Sequence, residues 1–261
     1  MPDLSQTNPT GRFAGLAKIY SKCRPGYPQS ALNFILQHCG LKSGSLLVDV
    51  GSGTGISARL FAERGLQVVG IEPNADMRAT AIATPGSCEE VRPTYREGRA
   101  EATGLATGSA DAVLAAQAFH WFEAEPALRE FQRILKPGGW GILVWNERDE
   151  RDPFTAAYGA VVRTAPEAAA VEGPRAQAGQ ALLRSPLFQN ATRSTFANEQ
   201  TVDEEGLLGR AFSASYAPRE PEQAEAFAAA LRDVFARYQQ AGKVAIKYET
   251  SVYLAAKAPA C

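Results

Sequence analysis

Short apolar runs closed by turn residues alternate, through the first half of the chain, with segments whose apolar positions recur every three or four residues. Leu46-Leu47-Val48 passes through Asp49 into Gly51-Ser52-Gly53-Thr54-Gly55. Such a run suits a strand buried on both faces. Ile56, Leu60 and Phe61 then share one helical face, and Gly65 supplies a left-handed stop. Val68-Val69-Gly70-Ile71 makes a second buried strand ending at Glu72, which completes a βαβ unit. The alternation continues. Pro73-Asn74 opens a helix containing Met77, 84–90 is a loop, and 91–98 is a third strand. A fourth strand covers 111–117, and a helix over 126–135 turns Leu128, Phe131, Ile134 and Leu135 inward. Lys136-Pro137-Gly138-Gly139 breaks that helix, and 140–145 is a fifth strand.

The flanks are less regular. Residues 1–10 are polar and read as frayed. A short helix over 13–20 runs into Ser21-Lys22-Cys23-Arg24-Pro25-Gly26-Tyr27-Pro28, whose prolines and glycine make an irregular loop. Pro28 opens a helix with Leu32, Ile35, Leu36 and Cys39 on one stripe, ended by Gly40. Beyond the fifth strand, 153–163 reads as a helix, while 165–184 is alanine-rich and ambiguous. Residues 192–202 read as a sixth strand, and Asp203 caps a helix through Arg210. A long helix over 222–240 buries Phe227, Ala230, Leu231, Val234, Phe235 and Tyr238, and 243–257 supplies a closing strand.

Composition narrows the partners. The chain has 261 residues, 45% hydrophobic and 21% charged, with a formal net charge of −1, the profile of an ordinary globular protein. No basic run marks a nucleic-acid backbone as a partner. No stretch reads as a membrane span and the N-terminus lacks a signal-peptide pattern, so the expected location is cytoplasmic. Cys23, Cys39, Cys88 and Cys261 are scattered and there are two histidines, so no metal site is expected and reduced thiols are the default. A monomer or a homodimer is expected.

The glycine loop carries the chemistry. It removes side chains where the strand turns sharply and a ligand must approach the backbone, and Glu72 ends the next strand where a ribose would lie. The dinucleotide fingerprint needs a third glycine at the position Ile56 occupies, so a nicotinamide oxidoreductase is disfavoured. The run Asp49-x-Gly51-x-Gly53-x-Gly55, followed by Glu72, resembles motif I and the acidic ribose-binding residue of the class I S-adenosylmethionine (SAM) methyltransferases. His120-Trp121-Phe122 and Leu135-Lys136-Pro137-Gly138-Gly139 match further blocks of that family. Tyr20 with Arg24-Pro25-Gly26-Tyr27-Pro28 resembles the N-terminal segment of a small-molecule branch that includes trans-aconitate methyltransferases. The resemblance covers about residues 13–146.

That resemblance implies an α/β, Rossmann-like fold. Its seven-stranded, mostly parallel sheet has the order 3-2-1-4-5-7-6, the last strand antiparallel, with helices on both faces. It implies one domain over 1–261: a lid segment at 11–40, a SAM-binding core at 41–146, and acceptor-pocket helices with the closing strands at 147–261. The implied cofactor contacts are Asp49, Gly51, Ser52, Gly53, Thr54, Gly55, Glu72, Pro73, Met77, Ala100, Gln117, Ala118 and Trp121. Tyr20 would cover the methionine end and Arg24 would lie near its carboxylate; half-buried packing for Tyr20 and Tyr27, and a solvated Arg24, are the alternatives. Met77 fits either the adenine edge or ordinary core. The family's turn Gly-Asp-Ala-Glu reads Gly98-Arg99-Ala100-Glu101 here. Arg99 has no acceptor for the adenine amino group, and Glu101 either substitutes or begins a short helix.

Methyl transfer is an in-line displacement that needs the acceptor held against the methyl group and, for a weakly acidic acceptor, a base. His120, at the ligand edge of the sheet, is the candidate base; structural packing beside Trp121 is the alternative, and a carboxylate acceptor would need no base. The position of the Asn-Pro-Pro-Tyr-type block of nucleic-acid methyltransferases holds Gln117-Ala118-Phe119-His120-Trp121-Phe122, which points to a small-molecule acceptor. Ser213, Ser215 and Tyr216 are candidates to line its pocket. The competing class is a SAM-binding protein without methyl transfer, a regulator or a non-methylating cyclase.

Overall fold

The central strands form on the apolar runs. In the computed structural model, which describes residues 15–86, 92–173 and 175–259, β1 (Leu46–Val50) pairs in parallel with β2 (Gln67–Ile71) and with β4 (Ala110–Ala116). Val48, Val113 and Leu114 have no solvent exposure, because helices cover both faces of a parallel sheet. β3 (Thr94–Arg96) lies parallel beside β2, and β5 (Leu135–Arg148) parallel beside β4. β7 (Val244–Lys257) runs antiparallel between β5 and β6 (Phe188–Val202). The sheet order is β3-β2-β1-β4-β5-β7-β6, the arrangement with one reversed strand that the resemblance implies.

The helices are α1 (Ala17–Cys23), α2 (Gln29–His38), α3 (Ile56–Ala62), α4 (Ala75–Ala83), α5 (Ala124–Ile134), α6 (Pro153–Val162), α7 (Ala168–Glu172), α8 (Arg175–Arg184), α9 (Glu204–Phe212) and α10 (Pro221–Tyr238). Leu32 and Ile35 of α2 and Phe61 of α3 pack with Leu47, Leu114 and Val252 on one face of the sheet. Phe131 and Ile134 of α5 and Leu182 of α8 pack with Val113, Leu143 and Tyr253 on the other. β4 pairs with β5 only as far as Val144, yet β5 runs on to Arg148, paired there with Tyr248 of β7. This extension projects past the carboxyl ends of the parallel strands. α6, α9 and α10 close around it in a further cluster that holds Tyr158, Leu207, Leu231, Phe235 and Ile246.

Several local expectations shift. The first helix covers Ala17–Cys23 rather than 13–20, with Phe13 outside the described residues. It stops at Arg24, which the following Pro25 holds extended (φ −80°, ψ 140°). β3 is shorter than 91–98, and Val91 is not among the described residues. Leu135 starts β5 instead of ending the helix. The alanine-rich stretch forms α7 and α8, because Leu182 finds a fully buried place against the sheet. Cys23 and Cys39 are free and buried; Cys88 and Cys261, like residues 1–10, lie outside the described residues. Among the described residues no helix is long and apolar enough to cross a membrane.

Candidate functional site

A cavity opens at the carboxyl ends of β1, β2 and β4, where open α/β sheets bind ligands. Its floor is the turn after β1, in which Gly51, Gly53 and Gly55 all have positive φ. The three glycines serve different ends. A Cβ on Gly53 would meet nothing within 4 Å, because this residue faces the open cavity. A Cβ on Gly51 would come within 2.7 Å of the Ala118 methyl and 2.9 Å of the Phe122 ring. One on Gly55 would collide with the Tyr95 hydroxyl. Gly55 is therefore a packing glycine and does not line the cavity, contrary to the sequence reading.

Asp49 also stands behind the loop rather than in the cavity. It is fully buried, and its Oδ2 accepts from the Ser57 hydroxyl at 2.6 Å. Burial raises its pKa to about 7; the Ser57 hydroxyl opposes the shift and the nearby Glu72 charge adds to it. Asp49 ties β1 to the start of α3 and so shapes the loop from beneath.

Glu72, at the end of β2, is a buried carboxylate. Its residue is 8% exposed. Oε2 accepts from the Gly53 N–H at 2.9 Å, and Oε1 from the Asn74 N–H at 2.9 Å. Burial raises its pKa, while those two N–H groups and the Arg78 charge pull it back. The carboxylate thus latches the glycine loop to the end of β2. It still lines the cavity, and each carboxylate oxygen has capacity for a second hydrogen bond.

Pro73, Met77, Arg99, Ala100 and Glu101 line one side of the cavity, and Gln117, Ala118 and Trp121 another, with Ser52 and Thr54 in the loop. Glu101 begins no helix: its Oε1 accepts from the Glu123 N–H at 3.0 Å, and it lies 3.7 Å from the Arg99 Nε. Gln117 leaves β4 in a left-handed conformation (φ 57°) and donates to the Asn146 carbonyl at 3.2 Å. Tyr20 and Arg24 close the cavity from the N-terminal segment. The Arg24 guanidinium sits 4.6 Å over the Tyr20 ring and donates to the Ser213 carbonyl at 3.0 Å. The extension of the sheet holds this segment in place. Asn146 and Asn198 both donate to the Gly26 carbonyl, at 3.0 and 3.1 Å, and Gln200 donates to that of Cys23 at 2.9 Å.

Other candidates fall elsewhere. His120 is buried outside the cavity lining; its Nδ1 accepts from the Trp145 indole at 3.3 Å and its ring centroid lies 5.0 Å from that of Trp121. Its position fits packing rather than proton transfer. Ser213, Ser215 and Tyr216 do not line the cavity either; Tyr216 donates to Glu172 instead. Sequence reasoning missed Arg210, which lines the cavity from α9. Its one available signal is its spacing of three from Leu207, which puts a cation on the buried face of an amphipathic helix.

Comparison with known proteins follows the same outline. Residues 48–143 match the model of the methyltransferase domain family. A protein of Mycobacterium tuberculosis named an uncharacterized methyltransferase is 35% identical over 157 residues, 58% of this chain and 58% of that protein. The matched stretch therefore spans less than two thirds of that relative's length. An uncharacterized methyltransferase-like protein of Schizosaccharomyces pombe is 27% identical over 92% of this chain and 93% of its own. Phosphoethanolamine N-methyltransferase 2 of Haemonchus contortus, solved with phosphomonomethylethanolamine and S-adenosylhomocysteine, superposes with a TM-score of 0.51. It is 18% identical, over 98% of this chain and 59% of that one, a likeness of fold.

Proposed function

We propose that this chain, whose residues 48–143 match the methyltransferase domain family and whose seven-stranded sheet has the class I strand order, is a SAM-dependent methyltransferase acting on a small molecule. The observation that carries the reading is the pairing of Gly53 with Glu72. The glycine leaves an open cradle that any side chain would fill, and beside it a buried carboxylate keeps acceptor capacity toward the cavity. These residues fit a nucleoside with a ribose diol. Met77, Ala100 and Glu101 would flank the base, and Tyr20 and Arg24 the methionyl end. The N-terminal segment that resembles the trans-aconitate methyltransferase branch lies over the cavity, which supports placing the protein among small-molecule enzymes of that kind.

Bound SAM supplies an electrophilic methyl group on a positively charged sulfur. The protein's part is to hold the two reactants in line and keep water away, which contributes much of the rate in a displacement of this type. Tyr20, Trp121 and Phe122 give the cavity apolar walls suited to that task. Glu72 accepts hydroxyl donors, and Gln117, oriented by the Asn146 carbonyl, presents an amide at the end of β4. His120 lies outside the lining, so positioning is the stronger source of rate.

Thermal denaturation with SAM, S-adenosylhomocysteine or NAD tests the reading. The first two raise Tm, by roughly 2.7 kcal/mol of stability at a hundredfold excess over Kd, and NAD does not. Stabilisation by NAD alone would overturn it. Incubation of a metabolite extract with SAM, followed by mass spectrometry for a gain of one methylene, separates transfer from binding without transfer.

A further inference from the structure

Two buried arginines in the cluster beside the cavity differ in their partners. Arg148 meets Glu172 through two hydrogen bonds, at 2.9 and 2.6 Å, and Tyr216 donates to the same carboxylate. Glu150 adds a second carboxylate, 3.6 Å from the Arg148 Nε. Arg210 is 8% exposed and borders the same phenols, Tyr158 and Tyr216. Its Nε donates to the Tyr248 hydroxyl at 3.2 Å, and among the described residues no carboxylate lies within ion-pair distance of it. A guanidinium stays charged at any ordinary pH, and an unpaired buried charge is costly. Arg210 also lines the cavity.

We propose that Arg210 anchors the methyl acceptor by receiving a carboxylate of that molecule. The proposal rests on the methyltransferase reading above. A buried guanidinium that lines the cavity matches an anionic group, and its flat fork of donors suits a carboxylate. Arg210 belongs to α9, outside the 48–143 stretch that matches the family. The glycine loop and Glu72, which would carry the cofactor, lie within that stretch, whereas function-specific groups are grafted on elements around a shared fold. Arg24, over Tyr20 on the N-terminal segment, is the separate cation available to the methionyl carboxylate of SAM. Arg99, also in the lining, is exposed and lies 3.7 Å from Glu101; Arg24 and Arg210 would then serve two carboxylates, one from each reactant.

The test uses wild-type protein with Arg210→Met, Arg210→Lys and Arg24→Gln. Calorimetry measures S-adenosylhomocysteine binding. Thermal shifts are then recorded at saturating S-adenosylhomocysteine with benzoate, phenylacetate, succinate and octanoate, each beside its amide. Wild-type protein should be stabilised by at least one carboxylate and not by its amide. Arg210→Met should weaken that carboxylate by about ten- to a hundredfold, the worth of one charge-assisted contact, while S-adenosylhomocysteine affinity stays within about threefold. Arg210→Lys, which keeps the charge without the fork, should fall between. Arg24→Gln should show the converse, weakening S-adenosylhomocysteine. Without ligands, Arg210→Met should not lower Tm, since it removes an uncompensated charge and keeps the stem; a fall would assign Arg210 to the fold and overturn the proposal. So would equal binding of acids and amides by wild-type protein, or unchanged carboxylate binding by Arg210→Met. Loss of S-adenosylhomocysteine binding in Arg210→Met would show that the cofactor's own carboxylate sits there. Failure of wild-type protein to bind S-adenosylhomocysteine at all would sink the methyltransferase reading itself, and this proposal with it.

Discussion

Glu72→Ala should weaken SAM binding and destabilise the empty protein together. The carboxylate holds two backbone N–H groups, those of Gly53 and Asn74, each at 2.9 Å, in a place that is 8% exposed. Alanine leaves both donors without that acceptor, at about 1–3 kcal/mol each. Even the lower figure for both gives about 2 kcal/mol, or roughly a 4–8 °C fall in Tm for a chain of this length. The two ribose contacts go as well. At about 1.5 kcal/mol each, the low end for bonds to a charged group, their loss is roughly two orders of magnitude in Kd. Glu72→Gln keeps the shape but turns an N–H donor toward one of the two backbone N–H groups, so both effects should be intermediate. Calorimetric titration of SAM, at a temperature where all variants are folded, is read beside scanning calorimetry of the ligand-free proteins. If alanine lowers Tm but leaves Kd within about threefold, Glu72 is a structural latch alone. If Kd rises with Tm unmoved, the two backbone bonds contribute nothing and the latch is wrong.

The glycines should separate binding from stability. Gly53→Val should abolish SAM binding by filling the open cradle, at about 1–2 kcal/mol of apo stability for a side chain at φ +53°. Gly55→Ala should instead cost stability heavily, because its new methyl collides with the Tyr95 hydroxyl; normal Tm in that variant would refute the packing assignment. Asp49 predicts a pH dependence. Its folded pKa of about 7 exceeds the ordinary aspartate value of 3.8, so the native state favours the neutral acid. The stability gained from that preference is complete below the unfolded value and lost as pH rises toward 7. The shift corresponds to about 4 kcal/mol at most. Asp49→Asn stays neutral, so wild-type stability minus variant stability should fall between about pH 4 and 7 and then level off. A difference that is flat or rises across that window would contradict the burial argument.

The alternation of apolar runs and helical stripes determined the βαβ core, because burial on both faces demands unbroken hydrophobic strands whatever lies around them. The glycine spacing, Glu72 and Asn74 carry their information locally: a tight turn, a strand end and a helix cap are settled within a few residues. The sheet order was legible only through resemblance to a family, since pairing partners are far apart in sequence. The tertiary structure alone decided which residues of the motif face the cavity. Asp49 and Gly55 belong to the same short run as Gly53, yet the Ser57 hydroxyl bonds the one and the Tyr95 ring packs against the other. His120 stands next to a lining residue, and the Trp145 indole turns it to the core. Arg210 reads in sequence as an ordinary helix cation. It becomes a cavity residue because β6, paired with β7, runs on past the parallel strands and leads into α9, which folds back toward their carboxyl ends. Which side of a residue meets solvent, core or ligand depends on elements that arrive from elsewhere in the chain, and local sequence does not encode their arrival.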